Sequence, residues 1–207
     1  MQLEEMTLPY HRIYSLGSSC EVAHQLRRKG LRKEAGPFDW FVSYSPKRLA
    51  EQIEGRFRQF MKLNNLKLLR RLKTTYALKD EVSLCISYHD FPLKDGEEDW
   101  KQDYPAFYSK VQRRTARFLD ALKSEMPILL IRVNCSKEDA LALQYALDCH
   151  SPPASKPHLL ILNVGPKLIL EDQWGFDRIC SLQITKGDTW MGNDDCWDQV
   201  LNRIKLQ

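Results

Sequence analysis

The 207-residue chain has no run approaching the ~18 consecutive apolar residues that span a bilayer. Its opening, MQLEEMTLPYHR, is acidic and polar where an export signal is basic and then apolar. These absences predict a cytoplasmic protein without a membrane partner. Nine glycines and ten prolines are too few for long linkers, and there is neither a low-complexity tract nor an internal repeat. The six cysteines, Cys20, Cys85, Cys135, Cys149, Cys180 and Cys196, contain no C-x-x-C pair, so neither a zinc site nor a disulfide framework is expected. All six thiols are expected to be reduced, with no metal and no cofactor.

What is present is the composition of a globular protein, 43% hydrophobic and 28% charged. A single domain over residues 1–207, with its core between about 12 and 205, is expected. The net charge of +4 is that of a mixed surface. Basic residues cluster at Arg27, Arg28, Lys29, Arg32 and Lys33 and in LKLLRRLK from Leu66 to Lys73. Few aromatics interleave with them for base stacking, so they read as a solvated helix face or hairpin edge, and nucleic acid is not an expected partner.

RIYSLGS reads as a strand broken at Gly17, and SCEVAHQLRRKG as a helix ending at Gly30. Ser45-Pro46 caps a helix running to about Met61. TTYAL and EVSLCISYHDF, parted by Lys79-Asp80, form a hairpin; KDGEEDWKQDYP is a loop; AFYSKVQRRTARFLDALKSE is a helix with Phe107, Val111, Phe118 and Leu122 on one face. PILLIRVNC, PHLLILNVGP and DRICSLQI are buried strands, SKEDALALQYALDCH is a Ser-capped helix, and a last helix covers about Asp195 to Lys205. The alternation predicts an α/β fold: one three-layer domain with a mostly parallel sheet and the hairpin inserted. In such folds the site lies at the carboxyl ends of the strands, which points to the Gly17–Cys20 turn, the turn at Asn134 to Ser136 and the loop after Val164.

Cys20 follows Gly17, Ser18 and Ser19 where strand becomes helix. A thiol there meets the positive end of the helix dipole and unpaired N–H groups, an environment that lowers its pKa and can hold an oxyanion. The alternative is a small residue in a cramped turn. His89, leaving the strand CISYHDFP beside Asp90, is placed as a general base. His24, one turn after Cys20, is its rival. Asp39, between Phe38 and Trp40, is the leading acid to orient His89, with a turn or helix-cap role as the alternative and with Asp90, Asp188, Asp194 and Asp195 as other candidates. Gly17, Ser18, Ser19, Trp40 and Asp90 are the candidate oxyanion and pocket residues. Trp190 and Trp197 read as core or pocket walls.

The combination SLGSSCEVAHQLRRKGLRKEAGPFDW, then YHDF, then RRTARFLDAL before ILLIR resembles the DUF1796 family, a bacterial family described as papain-like cysteine peptidases. The resemblance runs from about Ile13 to Trp197 and is sharpest at G-S-S-C, P-F-D-W and H-D-F. It implies a Cys20 nucleophile and a His89 base, with a papain-like α+β fold as the alternative architecture. The strand, G-S-x-C turn and P-F also look like the GSCFA proteins, relatives of SGNH esterases, although no histidine stands in GDTWMGNDDCW where that family draws its base.

Three functions follow. The first is a cysteine-nucleophile hydrolase or acyltransferase acting on an unspecified peptide, ester or glycan. The second is an SGNH-like esterase or O-acyltransferase on a glycan. The third is a non-enzymatic binding module using the same cleft, with Arg114 and Arg117 as anion contacts or, alternatively, surface salt-bridge residues.

Overall fold

A computed structural model describes residues 1–94, 99–166 and 169–207. Along the chain its elements are β1 (Pro9–Tyr10), β2 (Arg12–Ser15), α1 (Glu21–Arg28), β3 (Phe41–Ser43), α2 (Pro46–Glu54), β4 (Leu66–Arg71), β5 (Tyr76–Asp80), β6 (Cys85–Ser87), α3 (Tyr104–Leu122), β7 (Ile128–Val133), α4 (Lys137–Asp148), β8 (His158–Val164), β9 (Ile169–Asp172), β10 (Ile179–Ile184), α5 (Asp194–Leu201) and β11 (Lys205–Leu206). The fold is mixed α/β, with several sheets and five α-helices among the described residues, and it is compatible with the papain-like α+β alternative.

The largest sheet has five strands in the order β2-β7-β8-β10-β9. β2, β7, β8 and β10 run parallel, with Ile13 beside Leu129, Leu130 beside Leu159 and Leu160 beside Cys180, while β9 closes the edge antiparallel. All six residues of β7 are buried, as a strand covered on both faces requires. Alternate residues pack into different cores: Ile13, Leu129, Ile131, Leu160 and Leu162 meet α1 and α5, whereas Tyr14, Leu130, Leu159 and Ile161 join the cluster containing α2, α3 and α4.

A second, four-stranded antiparallel sheet, β3-β6-β5-β4, is built from the segment between α1 and β7. The expected hairpin is its β5–β6 pair, but the strand runs on through Asp80. The turn is instead stapled by the buried Asp80 carboxylate, which accepts from Val82 N, Ser83 Oγ and Met61 N at 2.7–3.0 Å. LKLLRRLK contributes the exposed edge strand β4. The helix expected to reach Met61 stops at Glu54, because Arg56 and Phe57 turn left-handed and Phe57 and Phe60 fold back into the core. The last helix likewise ends at Leu201, ahead of the short β11. Of the expected acidic loop, residues 95–98 lie outside the described residues, and Trp100–Asp103 forms a 3-10 turn. Residues 167–168 of the loop after Val164 also lie outside them.

The two sheets are joined by aromatic packing. Phe38, fully buried, meets Phe57, Phe60 and Phe118 at ring-centroid distances of 5.6 to 6.5 Å. The cluster reaches both sheets, with Tyr14 of β2 5.2 Å from Phe118 and Phe41 of β3 5.9 Å from Phe60, and burying one such ring stabilises by about 1.5–3 kcal/mol.

Candidate active site

The site begins where β2 ends. Gly17 has φ +75°, and a Cβ there would stand 2.9 Å from Ser43 Oγ, so both backbone conformation and space require glycine. Ser18 follows at φ +77°, a left-handed conformation costly for a residue with a side chain. It is held by reciprocal bonds to β3: Ser18 N donates to Ser43 Oγ at 3.0 Å, and Ser43 N donates to Ser18 O at 3.1 Å. The turn delivers Cys20 to the N-cap of α1.

Underneath lies Arg132, 1% exposed, in the middle of a strand that otherwise reads as uniformly apolar. Its guanidinium donates to Leu16 O at 2.6 Å, Ser43 Oγ at 3.1 Å and Ser43 O at 2.9 Å. A buried cation is expensive unless its donors are used. Here the two terminal nitrogens fasten the end of β2 to β3, while the buried Nε makes no hydrogen bond among the described residues, so Arg132 is a site residue that the sequence reading missed. A lone arginine inside ILLIRV was the available signal.

His89 arrives from the other sheet, just past β6. Its Nε2 lies 3.9 Å from Cys20 Sγ, with Cys20 half-buried and His89 exposed. The two flanking residues explain the strand exit. Phe91 is fully buried against Trp100 and Phe107, and Asp90 accepts from Ser87 Oγ at 2.6 Å and pairs with Lys110. The turn at Pro37 to Trp40 is organised in the same way: Phe38 enters the core, Asp39 is 2% exposed, and Trp40, at φ +71°, faces the cleft.

Asp39 pairs with Arg32 at 2.7 Å and forms no hydrogen bond to His89. Burial outweighs the attraction of Arg32 and Arg114 and pushes the Asp39 carboxyl up to about 6. Arg114 is itself half-buried and feels Asp39 and Asp90, whereas Arg117 donates to Ala35 O and pairs with Glu34. Among the described residues no carboxylate hydrogen-bonds His89. The Cys20 thiol departs from its expected low pKa: burial first, then the negative charges of Asp39 and Asp90, push it up to about 11. The resting residue is therefore a neutral thiol, set by desolvation and two nearby carboxylates.

Cys20 and His89 border a cavity of about 740 Å3, walled by Trp40, Val42, Leu72, Tyr88 and Trp190. Ser19 joins its lining, with its Oγ accepting from Glu21 N at 3.2 Å, while Ser18 and Gly17 lie buried behind. The His24 ring turns to Trp190, its centroid 5.2 Å away; its backbone N–H donates to Cys20 O at 3.0 Å, but its imidazole makes no hydrogen bond to the Cys20 thiol. Trp197 is core, donating to Glu21 at 2.8 Å, and Asp194 accepts from Gln25 at 2.7 Å. The backbone N–H groups of Ser19 and Cys20 make no hydrogen bond among the described residues, which leaves two donors beside the sulfur. No group of three or more potential ligands could hold a metal among those residues, and no helix is long and apolar enough to cross a membrane.

Comparison with known proteins gives a consistent picture. An uncharacterised protein of Acanthamoeba polyphaga mimivirus is 32% identical over 133 residues, covering 57% of this chain and 59% of that relative. The chain thus matches little more than half of the relative's length. No solved structure matches. Residues 11–164, which contain the thiol turn, Asp39, His89 and Arg132, match the family described as "Putative papain-like cysteine peptidase (DUF1796)", and the chain belongs to that family.

Proposed function

We propose that the protein is a cysteine-nucleophile acyl-transfer enzyme, a hydrolase of the cysteine peptidase type, with Cys20 as nucleophile and His89 as base. The observation that carries the reading is the Cys20 Sγ to His89 Nε2 approach of 3.9 Å at the edge of a large cavity. Such distances commonly tighten when substrate binds. His89 Nε2 takes the thiol proton as sulfur attacks the substrate carbonyl, and the N–H groups of Ser19 and Cys20 stabilise the oxyanion. The C–X bond then breaks, the leaving group takes the proton from His89, and water activated by His89 cleaves the thioester.

A thiol that rests protonated suits this route, in which proton transfer accompanies attack. Asp39 and Asp90 raise the thiol pKa, and the same negative field stabilises the imidazolium as it forms. Asp39 thus acts on the pair through its charge. We also infer a three-layer reading of the domain, supported by the separate cores on the two faces of the parallel sheet.

The test is a pre-steady-state burst with a p-nitrophenyl ester, followed by peptide mapping of the acylated protein. The reading expects one acyl group on Cys20, none in Cys20→Ala, and a burst slowed by at least about a hundredfold in His89→Ala. Acylation of Ser18 or Ser19 supports the esterase reading instead. Absence of any site-specific acyl group leaves a binding module.

A further inference from the structure

A second, smaller cavity of about 240 Å3 lies at the carboxyl ends of β7, β8 and β10, and it shares Ser19 and Trp190 with the larger one. The two differ in chemistry. The larger presents Trp40, Val42, Leu72, Tyr88 and Trp190 with Lys73, Thr74 and Thr75, whereas the smaller, the more polar of the two in proportion, sets Asn134, Thr185, Lys186, Thr189 and Glu21 beside the apolar Val133, Leu162, Val164 and Ile184. Trp190 is the partition between them, 58% exposed despite its size.

Its position is built rather than incidental. The loop carrying it is pinched at the base, where a Cβ on Gly187 would fall 2.1 Å from Gly192 C and a Cβ on Gly192, at φ +87°, would fall 2.2 Å from Glu21 Oε1. Glu21 is in turn held by Trp197 at 2.8 Å, and the His24 ring meets Trp190 edge-on. A large apolar side chain is thus held half in water between two cavities, an arrangement that core packing alone does not require.

We infer that the cleft takes an amphiphilic acyl compound, with a bulky apolar acyl group in the larger cavity and a compact, uncharged polar leaving group in the smaller, and that Trp190 determines specificity between them. This rests on the acyl-transfer reading above. Because Cys20 and His89 border only the larger cavity, the acyl carbon lies on its side of the partition and the leaving group passes over Ser19.

The experiment separates binding from chemistry. In Cys20→Ala, calorimetric titration with butanamide, hexanamide and octanamide should show affinity rising about threefold to fourfold per added methylene. N-(2-hydroxyethyl)octanamide should bind at least about fivefold tighter than N-butyloctanamide, the reverse of their hydrophobic order. Trp190→Ala should flatten both trends while Trp197 keeps the core intact. Chain-independent binding, or tighter binding of the butyl compound, overturns the inference. In the wild-type protein, the rate of Cys20 acylation by p-nitrophenyl butanoate, hexanoate and octanoate should rise in the same order, and chain-independent acylation overturns the acyl assignment. Graded amide binding with no acylation of Cys20 by any ester refutes the catalytic reading, and the acyl role with it.

Discussion

Alkylating Cys20 with iodoacetamide across pH tests the electrostatics of the site directly, because only the thiolate reacts. With its thiol pushed up to about 11, Cys20 is ionised at pH 8 in roughly one molecule in a thousand. An ordinary cysteine near 8.5 is ionised at pH 8 in about a quarter of molecules, so labelling of Cys20 should be about two hundredfold slower than that of a free thiol. Between pH 6.5 and 9.5 the logarithm of its rate should climb with unit slope and show no plateau. Asp90→Asn and Asp39→Asn each remove a negative charge that raises the thiol pKa and should speed labelling at a fixed pH. Burial is the larger cause, so neither variant should reach the rate of a free thiol. His89→Ala should leave this curve in place while impairing acylation by ester, since burial and the carboxylates set the resting protonation. A plateau below pH 9, or slower alkylation in His89→Ala, would refute this account and restore a thiolate–imidazolium pair.

Three further outcomes follow from the scaffold. Gly17→Ala places a side chain at φ +75° against Ser43 Oγ and should lower unfolding free energy by about 1–3 kcal/mol in urea denaturation. Arg132→Met leaves Leu16 O and Ser43 O without their donor and should cost about 2–4 kcal/mol. Arg132→Lys, which cannot reproduce the fork, should recover part of that stability but not the burst rate with ester. Burial pushes Cys85, Cys135 and Cys180 up to about 12, so above pH 9 the unfolded chain ionises first and the folded chain holds the protons longer. Stability should therefore be complete below pH 8 and fall by about 1.4 kcal/mol per group for each pH unit between 9 and 12, as read from urea midpoints at successive pH values.

The strands were legible wherever apolar runs were continuous, as in ILLIRV and HLLILNV, because burial on both faces leaves a signal independent of partners. The thiol turn was legible from Gly17 and the helix that follows it. The length of α2 was overread although Gly55, its C-cap, marks the stop; the left-handed turns that follow at Arg56 and Phe57 carry no glycine and accompany the return of Phe57 and Phe60 to the core. β9 was missed because only four residues pair, at an edge. The sign of the Cys20 shift was misjudged for a related reason: helix position is local and readable, whereas the burial of the thiol, and after it the approach of Asp39 and Asp90, depends on segments separated in sequence and joined only in the fold. Arg132 was overlooked because a hydrophobic pattern tolerates one charged letter without changing the strand it predicts.

β2 and β7 are neighbours in the parallel sheet, yet the whole antiparallel sheet lies between them in the chain, and Arg132 reaches Leu16 across 116 residues. Closing so long a loop is entropically costly before its contacts form, which makes this pairing a late event in folding. During synthesis the turn bearing Cys20 emerges early and waits for Arg132 to leave the ribosome before it can be locked. Until then the end of β2 is unfastened and Trp190, which walls the cavity beside Cys20, has not been made, so the sulfur is more open to oxidation than in the finished protein. The nascent chain, rather than the mature one, is thus the form in which this cysteine is chemically most vulnerable.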